Sequence, residues 1–308
     1  MKPAPFVHHA PRSVDEAVAV LAQAGHDGKV LAGGQSLVPV LNMRLASPGH
    51  LVDVNGIPGL DGIDVAPDAV RVGALVRHRG LERSDAAASA LPLLRQAVVN
   101  VAHPAIRNRG TTVGSLAHAD PAGEMPSVLA LTGGVIEAVG PNGAREIPWD
   151  SFFLGPLETS LEHDELVVAA RFGRFPEGTR TAFAESARRH GDYALAGVGV
   201  AVTLSDGVVS AASASFVSVT PVPSVLDLGD VLKGLEPRTD AWTAALDDVA
   251  DAVGGHIEPD GDIHATAEYR RMLATELTRR TLTTAVTGAP TASPTASPTA
   301  SPSEEPGR

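Results

Sequence analysis

The chain has no cysteine. That excludes disulfides, thiolate zinc sites, thiol nucleophiles and cysteine-held iron–sulfur clusters within it. It also lacks a surplus of positive charge: 24 Lys and Arg stand against 36 Asp and Glu, a net charge of -12. Nucleic-acid binders normally carry a basic footprint, so that class is excluded as well. No run of roughly 18 apolar residues occurs, so no membrane-spanning helix is expected. Met1-Lys2-Pro3-Ala4-Pro5 has no apolar core of a signal peptide, and the expected location is the cytoplasm. The 308 residues leave room for about two domains.

Against these absences stands Lys29-Val30-Leu31-Ala32-Gly33-Gly34-Gln35-Ser36-Leu37-Val38-Pro39. It reads as a short strand, a glycine turn and the start of a helix. Gly33 and Gly34 carry no Cβ, so they can take φ > 0 and allow close approach to the backbone. Ser36 is a good N-cap, and Pro39 suits a first helical turn. Val40, Leu41, Met43 and Leu45 then predict a short, mostly buried helix. Free amides at such a turn favour a phosphate or pyrophosphate. The loop is neither G-x-G-x-x-G nor a P-loop, and a glycine pair after a strand is commonly only a turn.

In chain order, Ser13-Val14-Asp15-Glu16 predicts a capping box. Val14, Ala17, Val18 and Leu21 then share one helical face up to Gly25. Leu51 to Val54 reads as a strand closed by Asn55-Gly56, giving α-β-α-β to about residue 56. Beyond it, Val70 to Ala74 alternates as a strand, and His78–Ser89 and Leu91–Val101 read as helices. A second loop follows, Arg107-Asn108-Arg109-Gly110-Thr111-Thr112-Val113-Gly114-Ser115, running on to Asp120-Pro121-Ala122-Gly123-Glu124. Asp120-Pro121 predicts a helix N-cap with proline at the first position. Pro141-Asn142-Gly143 predicts a hairpin, and residues 174–180 a linker. Further on, Val198–Leu204 and Val208–Phe216 read as strands about Ser205-Asp206-Gly207. Thr239 caps a helix with Trp242, Leu246, Val249, Ala250 and Val253 on one face. A last helix over about 266–283 is expected to turn Tyr269, Met272, Leu273 and Leu277 inward. Thr291-Ala292-Ser293-Pro294 repeats to Pro302, a pattern that favours a disordered, polyproline-like tail. His103 and His118 lack the companions that a metal site needs.

These loops, with Arg188-Arg189-His190-Gly191-Asp192-Tyr193-Ala194 and Ala267-Glu268-Tyr269-Arg270-Arg271-Met272-Leu273, resemble the FAD-binding medium subunit of molybdenum hydroxylases. This is the xanthine dehydrogenase and carbon monoxide dehydrogenase medium-chain family. The resemblance covers about residues 4–285. It implies an α+β chain: an FAD-binding domain over 1–177, of the p-cresol methylhydroxylase type, built from α/β subdomains 1–56 and 57–177. A smaller α+β domain over 178–286 and the tail over 287–308 complete it.

The resemblance further implies that Lys29, Val30, Leu31, Ala32, Gly33, Gly34, Gln35 and Ser36 wrap the FAD pyrophosphate. Thr111, Thr112, Val113, Gly114 and Ser115 form the second phosphate loop. Asp120 and Glu124 meet ribityl or ring hydrogen bonds, and the alternative for both is helix capping. Leu166 lends its backbone near the flavin. Tyr193 lies beside the isoalloxazine, and the alternative for it is a core tyrosine. Where the family often has histidine, this chain has Gln35, so FAD is expected to be non-covalent. Where the family often has Gly-Gly, it has Val113-Gly114. A β-branched residue resists φ > 0, so the special turn is expected at Gly114, with Thr111, Thr112 and Ser115 hydroxyls as extra donors. The molybdenum cofactor and the 2Fe-2S clusters are expected on a molybdopterin large subunit and an iron–sulfur small subunit, assembled as a dimer of heterotrimers. The implied function is electron transfer through FAD to a final acceptor. An autonomous FAD-dependent oxidase acting directly on an organic substrate is the alternative, and a non-redox nucleotide-binding module a third.

Overall fold

A computed structural model describes residues 2–288. The repeat tail lies outside the described residues. The chain opens with β1 (Val7–His9), α1 (Val14–Ala24), β2 (Gly28–Leu31), α2 (Leu37–Asn42) and β3 (His50–Asp53). The strands form a parallel sheet in the order β1-β3-β2. Ser13 caps α1 as expected, accepting from the Glu16 amide at 3.1 Å. Glu16 reaches back one residue further than a capping box requires, to the Arg12 amide at 2.6 Å.

The second unit contains β4 (Ile63–Val65), β5 (Ala69–Gly73), α3 (His78–Arg83), α4 (Asp85–Ala90), α5 (Pro92–Val98), α6 (Pro104–Arg107), α7 (Thr112–His118) and α8 (Glu124–Leu131). It continues with β6 (Val135–Gly140), β7 (Gly143–Pro148), α9 (Trp149–Phe152), β8 (Phe153–Gly155), β9 (Glu158–Thr159) and β10 (Leu166–Gly173). Its main sheet is antiparallel, ordered β4-β5-β10-β6-β7. The single helix expected over 78–89 is two, because Ser84 leaves the helical region and caps the second.

The last unit comprises β11 (Thr179–Ala187), β12 (Ala194–Ser205), β13 (Val208–Val217), β14 (Val225–Asp227), α10 (Gly229–Leu232), α11 (Asp240–His256) and α12 (Ala267–Thr287). Its four strands run antiparallel in sequence order. The sheet is covered on both faces. Phe183, Ala201 and Val217 join the core shared by the first two units. Residues of alternate parity, Ala182, Val198, Val200 and Val202, pack on Trp242, Val249 and Leu277 of α11 and α12. Alternation along a strand sends neighbours to opposite faces, which is how one sheet serves two cores.

Two packing expectations fail. In α2 only Leu41 is buried, while Met43 and Leu45 are 53% and 74% exposed. The helix has six residues, and among the described residues its Val38, Met43 and Leu45 side chains stay exposed. In α12, Tyr269 and Met272 face solvent, and the inward row is Arg270, Ala274, Leu277, Thr278 and Thr281. The apolar pattern there is broken by buried hydroxyls of Thr278 and Thr281, which bond to carbonyls four residues back. Trp242→Ala should therefore cost about 3–5 kcal/mol, and Met272→Ala less than about 0.5 kcal/mol. Denaturant unfolding of the two variants checks the difference.

Candidate functional site

The two glycine-containing loops touch. Gly33 follows β2, and a Cβ built on it would lie 2.5 Å from the Arg109 carbonyl oxygen, 2.7 Å from Gly110 Cα and 3.0 Å from the Thr111 nitrogen. Gly33 therefore lacks a side chain because the second loop fills that space. It does not take φ > 0; Gly34 does, at φ 70°. Gln35 Nε2 donates to the Gly33 carbonyl at 3.0 Å and steadies the turn. Ser36 stands at the N-cap of α2, yet its side chain makes no capping bond. Among the described residues, the backbone amides of Gly33, Gly34, Gln35, Ser36 and Leu37 donate to no protein acceptor; the first helical bonds are Val38 N to Gly34 O and Val40 N to Ser36 O. Lys29 is exposed, and Val30 and Ala32 pack at the edge of the core.

The second loop changes the reading of Gly114 and of the hydroxyls, and keeps Val113 out of positive φ. Gly114 is not a special turn: it sits in the first turn of α7, and its amide donates to the Thr111 side chain at 3.1 Å. Val113 needs no φ > 0 because it too is helical, and its side chain is buried. The hydroxyls are partly committed. Thr111 Oγ1 is the helix cap, and Thr112 Oγ1 faces His78 Nδ1 at 3.4 Å inside the core. Burial, then the Arg107 charge, pushes the His78 pKa down to about 4, so this imidazole is neutral at pH 7. Ser115 keeps its hydroxyl free of protein partners among the described residues. The Thr111 and Val113 amides likewise have no protein acceptor.

Asp120-Pro121 does not open the next helix. Asp120 Oδ1 accepts from the Ala122 amide at 2.9 Å and closes a turn, while α8 starts at Glu124 behind Gly123. The Pro121 carbonyl accepts from Ser218 N at 2.9 Å, which ties this turn to the end of β13. Glu124 is therefore held at the seam with the last unit. Across that seam, Glu185 lies on the same strand face as Phe183, and its Oε2 is buried without a partner. Burial raises both carboxyls, Glu124 to about 7 and Glu185 to about 8, and the charge of Glu124 adds to the cost of ionising Glu185. Asp120 opposes ionisation of Glu124 further, while its own backbone amide and Arg107 favour it. Sequence reading missed Glu185, because nothing local marks a strand glutamate that faces another unit.

Tyr193 follows the loop between β11 and β12, and at 70% exposure it is not a core tyrosine. Partial desolvation, then the charges of Asp120 and Glu124, raises its pKa. His103 packs against this loop, close enough that a Cβ on Gly191 would clash with its ring. Leu166 opens β10 opposite Val139 and points into the core. Beside the joined loops lies a cavity of about 630 Å³, lined by Asn55, Ile57, Pro58, Leu75, Val76 and Arg77 among others. Among the described residues no cluster of three potential metal ligands occurs, and no helix is long and apolar enough to cross a membrane.

Two loops with undonated amides meet at a glycine contact, with a cavity on one side, and such amides have the chemistry to receive phosphate oxygens. Comparison with known proteins gives the family of the chain. Residues 4–172 match the FAD-binding domain of molybdopterin dehydrogenases, and residues 181–285 match the C-terminal domain of the CO dehydrogenase flavoprotein. The chain is 40% identical to the nicotine 6-hydroxylase medium subunit of Paenarthrobacter nicotinovorans over 91% of its own length and 98% of the relative's. It is 38% identical to the carbon monoxide dehydrogenase medium chain of Hydrogenophaga pseudoflava, over 92% and 98%. A solved carbon monoxide dehydrogenase from that organism superposes with a TM-score of 0.86 over 93% of this chain and 99% of that one, at 38% identity. Quinoline 2-oxidoreductase from Pseudomonas putida 86 gives 0.87 over 94% and 99%, at 33% identity. The chain belongs to the FAD-binding medium subunits of multi-subunit molybdenum hydroxylases, and it is an oxidoreductase component.

The carboxyl pair sets a pH dependence. A raised folded pKa means that the two groups favour the fold most when protonated. That contribution is complete below about pH 4.5 and is lost as pH rises through about 7 and 8. Glu185→Gln should reduce the fall in melting temperature of the flavin-free chain between pH 6 and 9 by about 2–4 °C. Thermal scans at stepped pH values measure it.

Proposed function

We propose that this chain holds FAD non-covalently and passes electrons from 2Fe-2S clusters on a small partner subunit toward a final acceptor. A large subunit with the molybdenum cofactor performs the substrate chemistry, and the assembly is a dimer of heterotrimers. The observation that carries this reading is the joined pair of loops. Five consecutive free amides over 33–37, with those of Thr111 and Val113, suit the two phosphates of a dinucleotide without a lysine. When bound, FAD supplies both one- and two-electron redox chemistry, so single electrons can be gathered and delivered as a pair.

In this reading Lys29 to Ser36 and Thr111 to Ser115 hold the pyrophosphate. The adenosine end occupies the cavity beside Asn55 and Leu75. Toward the flavin end stand Asp120, Glu124, the Leu166 backbone and Tyr193. Glu124 is poised to hold a proton at neutral pH, because burial keeps its carboxyl from ionising readily. It can therefore donate a hydrogen bond as well as accept one. Gln35 offers no imidazole for a covalent flavin bond.

Partner dependence has its own support. Clusters cannot be held by a chain without cysteine. Beside the first loop, Val38, Met43 and Leu45 expose apolar surface of the kind that an interface covers.

The purified chain should bind one FAD, released into solution on acid precipitation. Anaerobic mixing should leave that flavin oxidised when organic substrate is added alone, and bleach it only when the iron–sulfur and molybdenum chains are present. Flavin that stays with the precipitated polypeptide contradicts the non-covalent attachment. Bleaching by substrate without partners contradicts the electron-transfer assignment.

A further inference from the structure

The two loops belong to different units of the fold, and a side-chain relay joins them. Asn55, in the turn after β3, donates from Nδ2 to the Ala32 carbonyl at 2.8 Å and to Asp53 Oδ1 at 2.7 Å. Its Oδ1 accepts from Arg77 Nη2 at 2.7 Å. Arg77 Nη1 donates in turn to the Arg109 carbonyl at 2.6 Å. Arg77 is also bridged along the backbone to Thr111. The run is thus Ala32, Asn55, Arg77, Arg109, from the first loop to the second. Its ends are the residues on either side of the contact that a Cβ on Gly33 would block.

The chemistry of each link is specific. Asn55 has a donor directed at two oxygens and an acceptor directed at a guanidinium, so its orientation is fixed and neither aspartate nor leucine replaces it. Arg77 makes both bonds through one planar fork, which a lysine ammonium cannot reproduce in the same geometry. Its acceptors are neutral, and among the described residues no carboxylate lies within ion-pair distance of it. The exposed Arg109 side chain likewise has no protein partner among the described residues. A chain of net charge -12 therefore keeps two guanidiniums at the junction of its phosphate loops with no direct ion pair, the Asp53 charge acting on Arg77 only from beyond Asn55.

We propose that Asn55 and Arg77 are positioning residues that lock the two loops into one cradle before an anionic dinucleotide arrives. Fixing the loops in advance removes the ordering cost from binding. Leaving Arg77 without a direct ion pair, with Asp53 offsetting only part of its charge, lets it act on the incoming phosphates. The proposal rests on the FAD reading for its ligand, but the lock is a property of the flavin-free chain.

The test uses the full-length chain, stripped of flavin, in wild type, Arg77→Lys, Asn55→Ala and Asn55→Asp forms. Hydrogen exchange is followed in peptides over 36–43 and 110–118, which contain the hydrogen-bonded amides of Val38, Val40, Thr112 and Gly114. FAD affinity is read separately by fluorescence titration. In every variant both peptides should exchange faster together, while α11, over 240–256, stays as in wild type. FAD affinity should fall about tenfold or more. Asn55→Asp separates the links: it keeps an acceptor for Arg77 but loses the donor to Ala32, and the two loops should still loosen. Faster exchange in only one peptide, or none, overturns the lock. Exchange that rises equally in α11 marks general destabilisation and also overturns it. A wild type that takes up no FAD while the two loops loosen together sinks the function proposed above and leaves the lock standing.

Discussion

The structure depends on one close approach, the backbone of residues 109–111 lying where the Cβ of residue 33 would be. Each loop alone is an ordinary strand-to-helix or helix-to-helix turn. Together they bring undonated amides from two units of the fold into contact. The glycine is thus required by the protein's own second loop. Gly34 answers a different need, the positive φ that turns the chain into α2.

The seam between α8 and the last sheet is organised by a different force. The sheet of β11 to β14 is covered on both faces, so an ionisable residue buried within it, as Glu185 is, is expensive to charge. Glu185 lies on the face turned to the FAD-binding domain, opposite the start of α8, where Glu124 is held by the 120–123 turn and its bond to Ser218. Two carboxyls in that setting resist ionising together. Burial therefore favours the protonated carboxyls of Glu124 and Glu185 near neutral pH.

What the sequence made legible was local. The Ser13 cap, the hairpin at Pro141-Asn142-Gly143 and the strands about Ser205-Asp206-Gly207 are set by neighbours within a few positions, and the structure keeps them. The long-range features were not legible. Gly114 looked like a turn because glycine is permissive, but Thr111 caps a helix through its amide. Asp120-Pro121 has the chemistry of a helix start, yet the aspartate satisfied a nearer amide and the helix began at Glu124. Met43, Leu45, Tyr269 and Met272 fit an apolar stripe, but a stripe does not say whether a surface exists to cover it. Arg77 is 22 positions from Asn55 and 32 from Arg109, so no periodicity could pair them. The class of cofactor came from motif resemblance, and the contact that joins the loops came only from coordinates.

The most direct measurement of the central claim compares FAD affinity and melting temperature in Gly33→Ala and Gly34→Ala. A methyl at 33 must push the second loop away, whereas a methyl at 34 meets only the ends of Val38 and Leu31 side chains at 3.1 and 3.2 Å and a strained φ. Separating the loops removes one or two charge-assisted hydrogen bonds worth about 1.5–3 kcal/mol each, so Gly33→Ala should weaken FAD binding by about 100-fold. Gly34→Ala should instead lower stability by about 1–2 kcal/mol with a smaller loss of FAD affinity. A Gly33→Ala chain that binds FAD as tightly as wild type would contradict the account.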